Sequence, residues 1–129
     1  MRDHHKLRAF HLADALALGT YQATASFPRE EQFGLTAQMR RAAVSTASNI
    51  VEGCARRSEA DYVHFLNVAY GSAREIEYQA SLAHRLGYLP KEAHDRLNAA
   101  CVETAKVLNG LICALRRPSG RPEIVNRRP

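Results

Sequence analysis

Six polar side chains recur at steps of three and four residues between positions 41 and 56: Arg41, Ser45, Ser48, Asn49, Glu52 and Arg56. That spacing puts them on one helix face. His64, Asn67, Gly71, Ser72, Glu75 and Gln79 form a second stripe of the same kind. With Glu52 and Glu75 as paired carboxylates, a carboxylate-bridged metal centre is the first chemistry to weigh. Such a centre needs a Glu from each of two helices and a Glu-x-x-His step from each of two others. Asp61-Tyr62-Val63-His64 is the one acid-x-x-His step, and Glu92, His94 and Glu103 stand at the wrong spacings. No metal site and no cofactor are therefore expected. Nucleophilic catalysis lacks a Gly-x-Ser-x-Gly elbow or a Gly-rich phosphate loop, and Ser45, Ser48 and Ser72 have no His and acid in context. His4 and His5 fall at a terminus, and His84 and His94 fall near a helix end and on a solvated face, without an assigned role. The chain is not expected to be an enzyme.

Arginines are the remaining chemical resource. Arg40, Arg41, Arg56 and Arg57 form two pairs at opposite ends of one predicted helix, with Arg74 and Arg85 on the next. The guanidinium fork suits phosphate. Arg41 is expected to turn inward toward Glu52 or Glu75, leaving Arg40, Arg56, Arg57 and Arg85 as candidate nucleic-acid contacts. Aromatic residues are few and fall mostly on core stripes, which favours phosphate or shape recognition over base reading.

The two polar stripes require two helices that meet. Ser and Asn are weaker helix formers than the Lys and Glu of an ordinary solvated face. A glycine inside a helix costs about 1 kcal/mol relative to alanine, and close helix approach is its usual compensation. The predicted seam places Gly71 and Ser72 near Ser45 and Ser48, with Arg41, Asn49, Glu52 and Glu75 hydrogen-bonding across it. Helix packing accounts for this whole constellation without a ligand.

Four helices are predicted. The first covers about 5–25, with Leu7, Phe10, Ala13, Ala17 and Tyr21 as its apolar stripe. The second runs from about Thr36, a credible N-cap, to Gly53, with Leu35, Met39, Ala42, Ala43, Thr46 and Ile50 facing inward. Ser58 and Asp61 open the third as a variant capping box, and Gly87 is its expected left-handed stop. Pro90 occupies the first turn of the fourth, which ends near Arg116. Helices three and four are each roughly 40 Å long and joined by a few residues, so they run antiparallel. The predicted fold is an all-α, antiparallel up-down four-helix bundle over residues 1–116. A basic, Pro-rich tail over 117–129 completes the chain.

A chain of 129 residues, 46% hydrophobic, can bury one core. No apolar run approaches the roughly 20 residues of a membrane span, and the N-terminus lacks a secretory signal. Cys54, Cys101 and Cys113 are odd in number and without zinc spacing, consistent with free thiols in a cytoplasmic protein. The net charge of +5 is concentrated at the C-terminus, where five arginines face Glu123 and leave the rest of the chain at +1. The tail reads either as an arm for nucleic-acid phosphates or as a solubilising terminus.

The run Phe27-Pro28, Phe33-Gly34-Leu35, Gln38, Arg40-Arg41-Ala42, Ser45, Asn49-Ile50, Glu52-Gly53, Ala69, Gly71-Ser72 and Glu75 resembles the four-helix proteins encoded in intervening sequences of bacterial 23S ribosomal RNA genes. Leu7, Phe10, Ala13 and Tyr21 fit that family's first helix. Phe10 stands where Trp is common, Thr46 where a larger aliphatic is typical, and the tail is an addition. The resemblance implies a ring-like homopentamer and kinship with accessory proteins of diversity-generating retroelements, which bind a reverse transcriptase and nucleic acid. The expected partners are thus further copies of the chain and RNA or a nucleoprotein. A protein–protein scaffold without a nucleic-acid role is the competing expectation.

Overall fold

The computed structural model describes residues 2–117. Four helices follow in order: α1 (Arg8–Thr24), α2 (Leu35–Cys54), α3 (Glu59–Arg85) and α4 (Lys91–Leu115). Short 3-10 turns, His4–Lys6 and Arg29–Glu31, precede α1 and α2. The helices form an antiparallel up-down bundle in which α3 packs on α2 and α4, and α1 closes against α2 and α4. No described helix is long and apolar enough to cross a membrane.

Local chemistry sets the boundaries. The Ser58 hydroxyl accepts the Asp61 N–H at 3.0 Å and starts α3. Gly87, at φ +82°, ends the run beyond Arg85. α2 starts before Thr36, which lies inside the first turn instead of capping it. Glu31 takes that role, its Oε1 accepting the Leu35 N–H at 3.0 Å while Oε2 accepts the Tyr88 hydroxyl at 2.9 Å. One carboxylate thus joins the start of α2 to the α3–α4 connection. Pro90 precedes α4 as its cap residue and stands just outside the first turn.

The inward stripe of α2 is the expected one: Leu35, Met39, Ala42, Ala43, Thr46 and Ile50 are all buried. The stripe of α1 is rotated from the expected one. Ala9, Ala13, Leu16, Thr20 and Thr24 are buried, whereas Tyr21 is 43% exposed. Threonine can occupy this core because its hydroxyl bonds back to the helix. Thr20 donates to the Leu16 carbonyl at 2.7 Å and Thr24 to that of Thr20 at 2.9 Å. Thr46 and Thr104 do the same toward Ala42 and Ala100.

Two apolar clusters stack along the bundle. One, around Met39, Ile76, Ala83 and Leu97, fills the half near the α3–α4 connection, called here the crown. The other, around Ile50, Tyr62, Leu66, Leu108 and Ile112, fills the opposite half, the base. Tyr70 packs against both.

The tight contact between α2 and α3 lies at Gly53, not at Gly71. A Cβ on Gly53 would stand 3.1 Å from Phe65 Cβ and 3.3 Å from the Tyr62 carbonyl oxygen. A Cβ on Gly71 would meet nothing within 4 Å. The expected close approach at Gly71 is therefore corrected: this residue faces outward.

Candidate nucleic-acid interface

The base is built from the N-terminal segment, the α2–α3 turn and the end of α4. The Arg2 N–H donates to the Cys54 carbonyl at 3.1 Å, which lays the N-terminal segment over the end of α2. The Arg2 guanidinium stacks 4.0 Å above the Tyr62 ring and donates to the Arg56 carbonyl at 3.3 Å. Arg56 pairs with Glu52 one turn back and lies over Phe65 at 4.9 Å. With Arg57 and Ala55, these two arginines line an open concavity of about 530 Å³.

Charge is unevenly divided between the two ends. Segments 2–8, 52–61 and 113–117 bring seven cations to the base: Arg2, Lys6, Arg8, Arg56, Arg57, Arg116 and Arg117. Five acids oppose them: Asp3, Glu52, Glu59 and Asp61 in the same segments, and Glu103 reaching Arg8 from α4. The crown segments 26–40 and 84–96 carry five cations against four acids. Arg8 is held by Glu103 at 2.6 Å, whereas Lys6 and Arg57 are exposed and without an ion partner among the described residues. Among the described residues, the tyrosine and phenylalanine beneath these arginines are covered, Tyr62 being 2% exposed and Phe65 lying under Arg56, while the His5 ring at the same end is exposed.

The four candidate arginines do not converge. Arg56 and Arg57 lie at the base, while Arg40 and Arg85 lie toward the crown. Arg40 and Arg56 are about 24 Å apart along α2. Arg40 is also engaged: its Nε donates to Thr24 Oγ1 at 2.8 Å, and its guanidinium covers Tyr21 at 4.6 Å. It joins α1 to α2. Arg85 is exposed and donates to Ser81 Oγ at 3.3 Å.

The polar seam is narrower than expected. Ser45 and Ser72 hydroxyls meet across α2 and α3 at 2.8 Å, and Asn49 Nδ2 donates to Ser45 Oγ at 2.9 Å. Glu52 and Glu75 do not reach across. Both are exposed, Glu52 binding Arg56 and Glu75 accepting from Gln79 at 3.3 Å, each within its own helix. Arg41 is exposed and does not turn inward. With Gln38, Ser45, Ser72 and Glu75 it lines a shallow groove on the outer face. Long charged side chains reach water here at no desolvation cost, which a dry seam would have imposed.

A family model described as "23S rRNA-intervening sequence protein" matches residues 5–110. The chain belongs to that family. Among solved structures, the chain is similar to a crystal structure of a protein of unknown function from the S23 ribosomal protein family of Bacteroides thetaiotaomicron. The two share 26% identity and a TM-score of 0.73, over 81% of this chain and 95% of that one. Among curated proteins no match was found.

In this member of the 23S rRNA-intervening sequence protein family, the sequence reading missed Arg2, Lys6 and Arg8 as part of the basic end. They belong to a terminal stretch, and it is the contacts of Arg2 with Cys54, Tyr62 and the Arg56 carbonyl that bring this stretch beside Arg57. The signal available was the even number of helices, which returns both termini to one end. Burial pushes the Tyr62 hydroxyl up to about 12 and raises the Cys54 thiol beside it. Both groups are neutral spacers beneath the arginines and supply no negative charge to oppose them.

Proposed function

We propose that this chain is a non-enzymatic, self-associating helical bundle that binds RNA or a nucleoprotein through its base. The observation that carries the reading is the gathering of seven cations on one end, three of them around a single concavity. Guanidinium groups oriented by Tyr62, Glu52 and Phe65 are partly ordered before a phosphate arrives, which lowers the entropy lost on binding. The covering of Tyr62 and Phe65 at the base favours backbone and shape contacts over base reading. The family description, a protein of 23S rRNA intervening sequences, suggests RNA association by location.

Self-association has its own support. Leu18, Tyr21 and Val44 are 62%, 43% and 47% exposed. Tyr21 and Val44 flank a concavity shared with Ala37, Arg41 and Ser48. A pentameric ring is the assembly the family resemblance implies.

The test is binding of a structured RNA, followed by anisotropy as salt rises from about 50 to about 200 mM. Affinity should fall with a log–log slope of roughly 0.7–0.9 per phosphate contacted. Lys6→Glu with Arg57→Glu should weaken binding and flatten the slope, while Arg85→Glu at the crown should change little. Salt-independent affinity would remove the reading. A scaffold role is the second reading, favoured by Phe33, 88% exposed at the crown. Partner capture that survives nuclease treatment would support it.

A further inference from the structure

The N-terminal turn holds a cluster of metal-ligating side chains that the phosphate reading does not use. Asp3, His4 and His5 present one donor atom each, all within 4.8 Å of one another. We propose that these three side chains form a binding site for a dication of the zinc class.

The geometry of the turn supports this. The Asp3 carboxylate caps it, accepting the His5 N–H at 3.0 Å. The Lys6 N–H donates to the Asp3 carbonyl at 3.1 Å and the Leu7 N–H to that of His4 at 3.0 Å. His11 donates a ring N–H to the His5 carbonyl at 2.6 Å. His4 is half-buried edge-on against Phe10 at 4.6 Å, and its ring centroid is 4.2 Å from that of His5. The turn is therefore tied to α1 at both histidines, and the Arg2–Cys54 bond ties it to α2.

Donor spacing and type choose the ion. Zinc bonds of about 2.0–2.1 Å to nitrogen and about 2.0–2.2 Å to oxygen give a tetrahedral donor edge of roughly 3.4 Å. Asp3 Oδ1 and His5 Nδ1 already stand 3.1 Å apart. Metal binding would replace the hydrogen bond between them and draw in the His4 ring. Three protein ligands leave a fourth position for water. Arg2, Lys6 and Arg8 flank the site in sequence, and their positive charge disfavours a cation held by charge alone. With one carboxylate, a hard oxygen-seeking ion such as Mg²⁺ has too little to gain. Imidazole nitrogens favour Zn²⁺, Ni²⁺ or Cu²⁺.

The inference is independent of RNA binding, and its test needs no RNA. The tag-free full chain is titrated with ZnCl₂ and, separately, MgCl₂ by calorimetry. One equivalent of Zn²⁺ should bind saturably and Mg²⁺ should give no heat. Losing a second-shell partner alone lowers metal affinity about 10–100-fold, so His4→Ala or His5→Ala should each lower it by at least about tenfold. The double variant should abolish binding with its helical circular dichroism unchanged. His64→Ala, on the exposed face of α3, should bind as the parent does. Absence of saturable Zn²⁺ binding, or undiminished affinity in the double variant, would overturn the proposal.

Discussion

Gly53, in the last turn of α2, and Gly71, in the interior of α3, are the same residue type, yet they answer opposite needs. At Gly53 a methyl would press on Phe65 Cβ and on the Tyr62 carbonyl, neither of which can swing away. Overpacking of that kind typically costs 1–3 kcal/mol. At Gly71 a methyl meets open space, and the helix gains about 1 kcal/mol of propensity. Urea denaturation should therefore find Gly71→Ala more stable than the parent by up to about 1 kcal/mol. Gly53→Ala should be less stable than Gly71→Ala by at least about 1 kcal/mol. Equal midpoints for the two variants would refute the assignment. The sequence marks Gly53 as a helix end and Gly71 as the close contact, because Gly71 stands mid-helix beside Ser72. The deciding quantity is the distance between backbones, which depends on how the helices cross. The same limit explains the polar face: Ser45, Ser72 and Asn49 are short enough to meet, whereas Glu52 and Glu75 have reach enough to stay in water.

At the level of elements, the helices were legible wherever an apolar period coincided with a local stop. Ser58, Gly87 and the inward stripe of α2 are examples. In α1 the period was misread by a rotation, since buried Thr20 and Thr24 look polar in a sequence and satisfy their hydroxyls on their own helix. The start of α2 was misread because its cap comes from Glu31, four residues upstream of the N–H it accepts. That carboxylate also yields a pH prediction. Its hydrogen bonds from the Leu35 N–H and then the Tyr88 hydroxyl hold its titration below the ordinary glutamate range. The folded chain thus binds this proton less readily than the unfolded chain. The contribution is present above the unfolded value, about 4.3, and is lost as pH falls through the lower folded value. Glu31→Gln should flatten the acid limb of the stability curve, and Tyr88→Phe should flatten it less. A Glu31→Gln limb as steep as that of the parent would count against the link.

For the whole molecule, the fold followed from four amphipathic segments with short links, and the family from a dispersed pattern of residues. The basic end did not follow, because it joins positions 2–8, 52–61 and 113–117, which no window of sequence brings together. The proposed packing between copies would be equally non-local. Val44 is 47% exposed on the outer face of α2, so its replacement by Glu should leave the monomer folded while disfavouring an apolar contact there. Sedimentation should then show a lighter species than the parent, with the helical signal retained. An unchanged mass would move the self-contact to another face. The basic tail expected beyond Arg117 lies outside the described residues.

An even number of rods returns the chain to the side on which it set out, so Arg2 and Arg117 emerge together. An affinity label or fluorescent fusion joined at Arg2 would lie against the arginine-lined hollow and the adjoining histidines, masking one and competing for metal with the other. The hairpin bend around Gly87, about 40 Å away along α3, is where a reporter can be attached without touching either.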